Sequence, residues 1–364
     1  MSYPKRILFV TNGHGEAAIA ARIAQELRSV ADVRTDHFGL VGKNLGGPDF
    51  RDVGPQKEMP SGGLIVMNPG ALARDIAAGL PITIAKQLGF LRSKSGARRY
   101  DAVVAVGDAL ACAAARFARR PLIFVGTAKS VYVERYAGYE RAILRGARRI
   151  FVRDAATAGD LRAHGVDAEA PGNVIVDLNA TFARVEWRAP LRLALLPGSR
   201  EPAYGDAVRI AAVVAALRAR RPELDAVMSI APNLQPARFA PALELGGLRA
   251  WTGPVGALFD GATLAIGQSG TANEAAAAEG LPVVALDLAS ATRKAWYRGR
   301  QAGLLGDALL VVPADPEQAA AAVDELIADE PRRARMGAAG RERMGGPGGA
   351  RAIAGAIAEL VNAE

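Results

Sequence analysis

Four short stretches hold the residues whose types and spacing suit chemistry. Ser269-Gly270-Thr271 offers two hydroxyls around a glycine, with Glu274 three residues further on. A helix starting at such a turn has first N–H groups without intrahelical partners, and these favour an anion in front of them. Gly198-Ser199-Arg200 also follows an apolar strand directly and adds a guanidinium to a glycine and a hydroxyl. Gly107-Asp108 and Gly13-His14-Gly15-Glu16 supply carboxylates and an imidazole, groups able to accept a proton. Each also has a plainer reading. Asp108 suits a helix N-cap, His14 a solvated loop, and residues 269–271 an ordinary crossover between parallel strands.

The elements that must position these motifs are strands. An apolar run immediately precedes each one: residues 6–12, 101–106, 192–196 and the run opening at 264. Continuous apolar runs are the mark of strands buried on both faces of a parallel sheet. Helical patterns follow from about 17 to 28, after Asp108, from about 205 to 220 and after Thr271. Further strands are expected at 63–67, 121–126, 149–153, 225–230, 283–286 and 309–312, and residues 174–178 close the first half. Residues 38–62 are rich in Gly and Pro and read as loop. A helix is expected from 315 to 327, and after the Gly- and Pro-rich stretch 345–349 another from 350 to 361. Strands alternating with helices define an α/β protein with helices on both faces of parallel sheets.

At 364 residues the chain exceeds the roughly 250–300 at which one core stops growing, so two Rossmann-like domains are expected. Their bounds are 1–186 and 187–345, with a terminal helix in 346–364 that packs back on the first. Half the residues are hydrophobic, which excludes a disordered chain. The single cysteine, Cys112, excludes an internal disulfide framework and fits a reducing compartment. The first strand begins almost at once, no stretch is long enough to span a bilayer, and a cytoplasmic protein is expected, with room for attachment to the inner face of the membrane.

Charge is unevenly placed. Residues 1–184 hold 26 Lys/Arg against 17 Asp/Glu, a net of +9, whereas residues 185–364 hold 19 against 20. Such a basic half is either a set of solvated helix faces or a surface attracted to anionic lipid or nucleic acid. Residues 71–91 sharpen the choice. They are mostly apolar, broken at Gly79-Leu80-Pro81 and flanked by Lys86, Arg92 and Lys94. Two core helices or an apolar lip lying on lipid would both read this way.

LLPGSRE (195–201), GNVIVD (172–177) and SGTANEAAAAEGLPVV (269–284) resemble bacterial lipid-A-disaccharide synthase and related proteins. More broadly they are similar to GT-B glycosyltransferases that use UDP-sugars. NGHGE at 12–16 with VAVGD at 104–108 resembles a related branch rather than the synthase itself, and the pattern downstream of Leu286 departs from the synthase. The resemblance implies the GT-B architecture, two Rossmann-like domains facing a central cleft. It implies that Ser269, Gly270 and Thr271 hold a donor pyrophosphate, that Glu274 accepts from the ribose hydroxyls, and that Gly198, Ser199 and Arg200 form a second phosphate-facing loop. Trp251 and Thr252 fall where the uracil is held, or Trp251 simply packs. Asp108 matches a carboxylate region on the acceptor side, where it would act as base, with His14 and Glu16 assisting.

Three functions follow as expectations. The first is an inverting, metal-independent transferase moving a sugar from a UDP-sugar to a lipid-like or membrane-associated acceptor, with no cofactor beyond the donor and no nucleic-acid partner. The second is a UDP-sugar 2-epimerase of the UDP-GlcNAc type, for which GNVIVD is somewhat similar; such chemistry needs several carboxylates, and only Asp108 and Glu16 present themselves. The third is a non-catalytic protein that binds nucleic acid or membrane through the basic half.

Overall fold

Among the residues described by the computed structural model (3–42, 45–47, 49–57, 59, 69–181, 183–288 and 292–363, without the side chains at 14, 69, 71 and 292–298), twelve strands build two parallel sheets. The chain divides into two compact units, Met1–Leu178 with Pro347–Glu364, and Asn179–Gly346.

The first sheet comprises β1 (Lys5–Thr11), β2 (Val33–Gly39), β3 (Arg51–Asp52), β4 (Ala102–Gly107), β5 (Leu122–Gly126) and β6 (Arg149–Val152), in the order β3-β2-β1-β4-β5-β6. Its centre is apolar throughout. Ile7, Leu8, Phe9 and Val10 of β1 and Val103 to Val106 of β4 have no exposed surface, as expected of strands covered on both faces. The strand order reverses between β1 and β4, which pair in parallel with Thr11 opposite Val106. In open α/β sheets such a switch point leaves a crevice beyond the carboxyl ends of the strands.

Strand β2 falls partly where loop was expected and otherwise goes unpredicted. Its sequence, VRTDHFG, has no apolar run, yet most of it is buried. Side-chain bonds make this affordable: Arg28 donates to Thr35, Tyr100 to Asp36, and His37 bridges Thr11 and Asp52. The strand expected at 63–67 lies outside the described residues. Residues 174–178 form a helical turn, Val174–Asp177, capped by the Asn173 side chain. Asp177 then accepts from the main-chain N–H groups of Gly348 (2.6 Å) and Ala350 (2.7 Å), fastening the Gly349–Asn362 helix to the first unit.

The second sheet comprises β7 (Arg192–Leu196), β8 (Asp225–Ser229), β9 (Arg249–Trp251), β10 (Leu264–Gly267), β11 (Val283–Asp287) and β12 (Leu309–Pro313), in the order β12-β11-β10-β7-β8-β9. It has the same plan, with a switch point between β7 and β10. Its core joins Leu193, Leu195, Leu264 and Ile266 of these strands to Ile210, Val214 and Leu217 of the Ala203–Arg218 helix. The Glu330–Met344 helix is an addition to the elements expected. Its buried set is Met336, Gly337, Gly340 and Met344, so two glycines take half of the contact and blur the helical period.

Among the described residues, no helix is long and apolar enough to cross a membrane. Burial pushes the Cys112 thiol up to about 12, which leaves it an inert core side chain.

Candidate functional site

Both switch points carry the motifs singled out above. In the second unit, β7 runs into Pro197-Gly198-Ser199-Arg200 and β10 into Gln268-Ser269-Gly270. The two loops are tied by their main chains: Gly267 pairs with Leu196, and the Gln268 N–H donates to the Leu196 carbonyl at 3.0 Å. Gly198 has φ of +122°, a conformation that other residues adopt only with strain. The loop is braced from the side. Asn233 Nδ2 donates to the Ser199 carbonyl at 2.8 Å, and Arg238 pairs with Glu201 (2.6 Å) while lying 3.6 Å over the Tyr204 ring. That pairing holds the Glu201 carboxyl below its usual range and leaves Ser199 and Arg200 exposed at the tip.

The Thr271–Ala278 helix starts straight from the second loop. Ser269 Oγ accepts from the Ala272 N–H at 3.3 Å, Thr271 is exposed, and Glu274 sits half-buried in the first turn. Two residues that sequence reasoning missed hold this start in place. Asn273, fully buried, donates to the carbonyl of Gly267 (3.2 Å) and to Gln301 Oε1 (3.1 Å). Gln301 Nε2 in turn donates to the Ser269 carbonyl at 2.7 Å. An Asn inside the run TANEAAAA is the available signal, since Asn is unfavourable within a helix unless its amide is needed. The hydroxyls and first-turn N–H groups therefore stand on a braced loop at the carboxyl end of a sheet, an arrangement suited to a phosphate.

Trp251 ends edge strand β9, and its indole N–H donates to the Pro254 carbonyl at 2.9 Å, so its polar group serves its own turn. Thr252 beside it is exposed.

In the first unit, the residues beyond β1 and β4 meet. The His14–Val30 helix begins two residues after β1, so His14 and Glu16 lie in its first turn rather than in a loop; the His14 side chain is outside the described set. Gly107 has φ of +143°, and a methyl group there would overlap Asn12 Oδ1 and press on the Glu16 stem. Glycine thus lets the Asn12 and Glu16 side chains close over the end of β4. Asp108 is the N-cap of the Ala109–Ala115 helix: Oδ1 accepts from the N–H groups of Leu110 (2.9 Å) and Ala111 (3.1 Å). The capping reading is realised through Oδ1.

Behind β1 lies a chain that the sequence did not disclose. Thr11 Oγ1 is 2.8 Å from His37 Nε2, and His37 Nδ1 is 2.6 Å from Asp52 Oδ1. Burial lowers the His37 pKa, and its bond to Asp52 offsets this only in part. Thr11 and His37 are fully buried, so the chain braces the loop that follows β1 without touching a ligand. Among the described residues no group of three His, Cys, Asp or Glu side chains is placed to hold a metal ion.

Fold and switch points together define a class, the GT-B fold of paired Rossmann-like sheets. The structure is similar over nearly its whole length to many solved structures, of which three serve as examples. The UDP-GlcNAc 2-epimerase of Neisseria meningitidis, bound to UDP-GlcNAc, matches with a TM-score of 0.56 at 15% identity, over 99% of this chain and 100% of that one. The calicheamicin glycosyltransferase matches with 0.60 at 17%, over 100% and 98%. MurG of Acinetobacter baumannii matches with 0.57 at 14%, over 99% and 100%. At these identities the likeness establishes the fold. No protein-family model matches the sequence, and comparison with curated proteins gives no match.

Proposed function

We propose that the chain is a UDP-sugar enzyme of the GT-B fold, an inverting glycosyltransferase that needs no metal and acts on a lipid-like acceptor. The observation that carries the donor assignment is the joining of two glycine-bearing loops at the β7/β10 switch point through Gln268 and Leu196. Backbone N–H groups, Ser199, Ser269, Thr271 and the Arg200 guanidinium would bind the diphosphate and stabilise UDP as it departs. Glu274, one turn into the helix, would accept from the ribose hydroxyls. On the acceptor side Asp108 would take the proton of the attacking hydroxyl through Oδ2, with Glu16 and His14 orienting it. The synthase-like motifs at 195–201 and 269–284 support this reading, and a related branch of that group fits the NGHGE opening best.

A lipid-like acceptor is supported by a pair of inverted helices. In Pro69–Ala77 and Leu80–Arg92 the buried residues are Asp75, Thr83, Gln87 and Leu91, whereas Leu72, Ile76 and Ile82 are 42%, 52% and 63% exposed. A helix normally buries its apolar stripe. Here Leu91 alone among the apolar residues named is buried, and Leu72, Ile76 and Ile82 face outward beside exposed Arg74, Lys86, Arg92 and Lys94, as on a surface meant for anionic lipid.

The second reading is a UDP-GlcNAc-type 2-epimerase, favoured by the likeness to the Neisseria epimerase. Incubating a panel of UDP-sugars with and without membrane lipid extract separates the two. Release of UDP that depends on the extract is expected; an isomerised UDP-sugar or free UDP without extract would establish the epimerase. Neither product would overturn both.

A further inference from the structure

A second polar site lies in the same unit as the donor loops but on other elements. Edge strand β12 and the Glu330–Met344 helix enclose a groove of about 420 Å3. That is within the range of small-molecule sites, roughly 300–1,000 Å3. Its floor is apolar, from Leu309, Leu310, Met336 and Ala339, and its rim carries Arg332, Arg335 and Asp307.

The arginines of this helix fall into two groups. Three are spent on main-chain carbonyls at the ends of neighbouring elements: Arg333 on Leu326 and Ile327, Arg341 on Glu279, Arg343 on Gly303. These are structural, because each satisfies an acceptor that a helix end leaves over. The other two, Arg332 and Arg335, have no acceptor for their guanidinium groups among the described residues, and both line the groove. Set three residues apart on one helix face, they repel each other, an arrangement that costs the free protein and is relieved when an anion is shared between them. Two guanidinium forks three residues apart on one helix can share one oxyanion such as a phosphate, and the Leu and Met side chains that line the groove with them suit an aliphatic chain.

We propose that this groove is a binding site for a small anionic amphiphile, a phosphate monoester carrying an aliphatic tail. The head lies between Arg332 and Arg335, and the tail runs along Leu309, Leu310 and Met336. Asp307 opposes the head, so the site is tuned by one unfavourable charge rather than saturated with favourable ones. This reading is independent of the donor assignment, because none of its residues belongs to the loops at 197–201 or 268–274.

Titration of the full chain with octyl phosphate tests it, with inorganic phosphate and octanol as the two halves of the ligand. Octyl phosphate is expected to bind saturably at one site and at least tenfold more tightly than either half. Arg332→Gln with Arg335→Gln should weaken it at least tenfold, and Asp307→Asn should strengthen it; these opposed signs separate the groove from the exposed apolar helices at 69–92. Thermal stability should be retained in both variants, because each removes an exposed or half-buried charge without an internal partner. Binding that is absent, or that is the same in wild type and the double-arginine variant, would overturn the proposal. UDP affinity unchanged by octyl phosphate is expected, and its loss in proportion to octyl phosphate added would place the amphiphile at the donor loops instead.

Discussion

The main-chain N–H of Gln268 donates to the carbonyl of Leu196 at 3.0 Å, and through that bond the loops after β10 and β7 become one structure. Each loop alone is a strand-to-helix turn of the kind found in any α/β protein. Joined at the point where the strand order reverses, they present Ser199, Arg200, Ser269 and Thr271 from one end of the sheet. Asn273 and Gln301 fix the second loop from beneath, so the N–H groups are placed before a ligand arrives.

Asp108 caps a helix, and under the proposed function it is also the base, two duties that a pair of variants can separate. Asn caps a helix about as well as Asp, whereas Ala forfeits about 1 kcal/mol. Asp108→Asn should therefore keep the melting temperature and lose about 10²–10⁴-fold in turnover, the span expected for a general base. Asp108→Ala should lose both. Asp108→Asn with undiminished turnover would reduce Asp108 to a cap, and Glu16 would then be the carboxylate to test.

One side chain, Asp177, anchors the start of the terminal helix. Asp177→Ala removes the acceptor for both Gly348 and Ala350, leaving two N–H groups at the helix start unmatched. A loss of about 1–3 kcal/mol in denaturant unfolding is expected. Amide exchange should quicken across Gly349–Asn362 first. Equal protection in the variant and the wild type would contradict the fastening role.

Acid should loosen the brace behind β1. Burial holds the His37 pKa below its ordinary 6.5, so as pH falls the unfolded chain takes up a proton before the folded one does. The stabilisation is complete above about pH 6.5 and is lost as pH drops below it. Burial also pushes Asp52 up, but the hydrogen bonds from Gln56, His37 and Gly46 outweigh this and hold it low, adding a further loss in stronger acid. The melting temperature should fall between about pH 7 and 5 in the wild type and fall less in His37→Gln. Equal slopes in the two proteins would show that His37 does not titrate in this way.

The sequence disclosed the elements whose burial is uniform and apolar. Strands β1, β4, β5, β7 and β10 carry continuous runs of Val, Ile, Leu, Ala and Phe, and the polar residues that follow β1, β4, β7 and β10 are therefore visible as site candidates. It hid the elements that bury polar groups or glycines. Strand β2 escapes because Asp36 and His37 are matched only by Tyr100, Thr11 and Asp52, distant in the chain. The Glu330–Met344 helix escapes because Gly337 and Gly340 make up half of its buried set. Asn273 carries one local mark, an Asn set among alanines, but its partner Gln301 lies 28 residues further on and nothing local links the two.

Calorimetric titration of the full chain with UDP tests the central claim, that the joined loops at β7 and β10 form a nucleotide-diphosphate site. Binding in the micromolar range is expected, corresponding to about −8 kcal/mol. Glu274→Ala should weaken it at least about tenfold, the loss of a charge-assisted hydrogen bond to the ribose. No heat of UDP binding in the wild type, or an affinity unchanged in Glu274→Ala, would contradict the account.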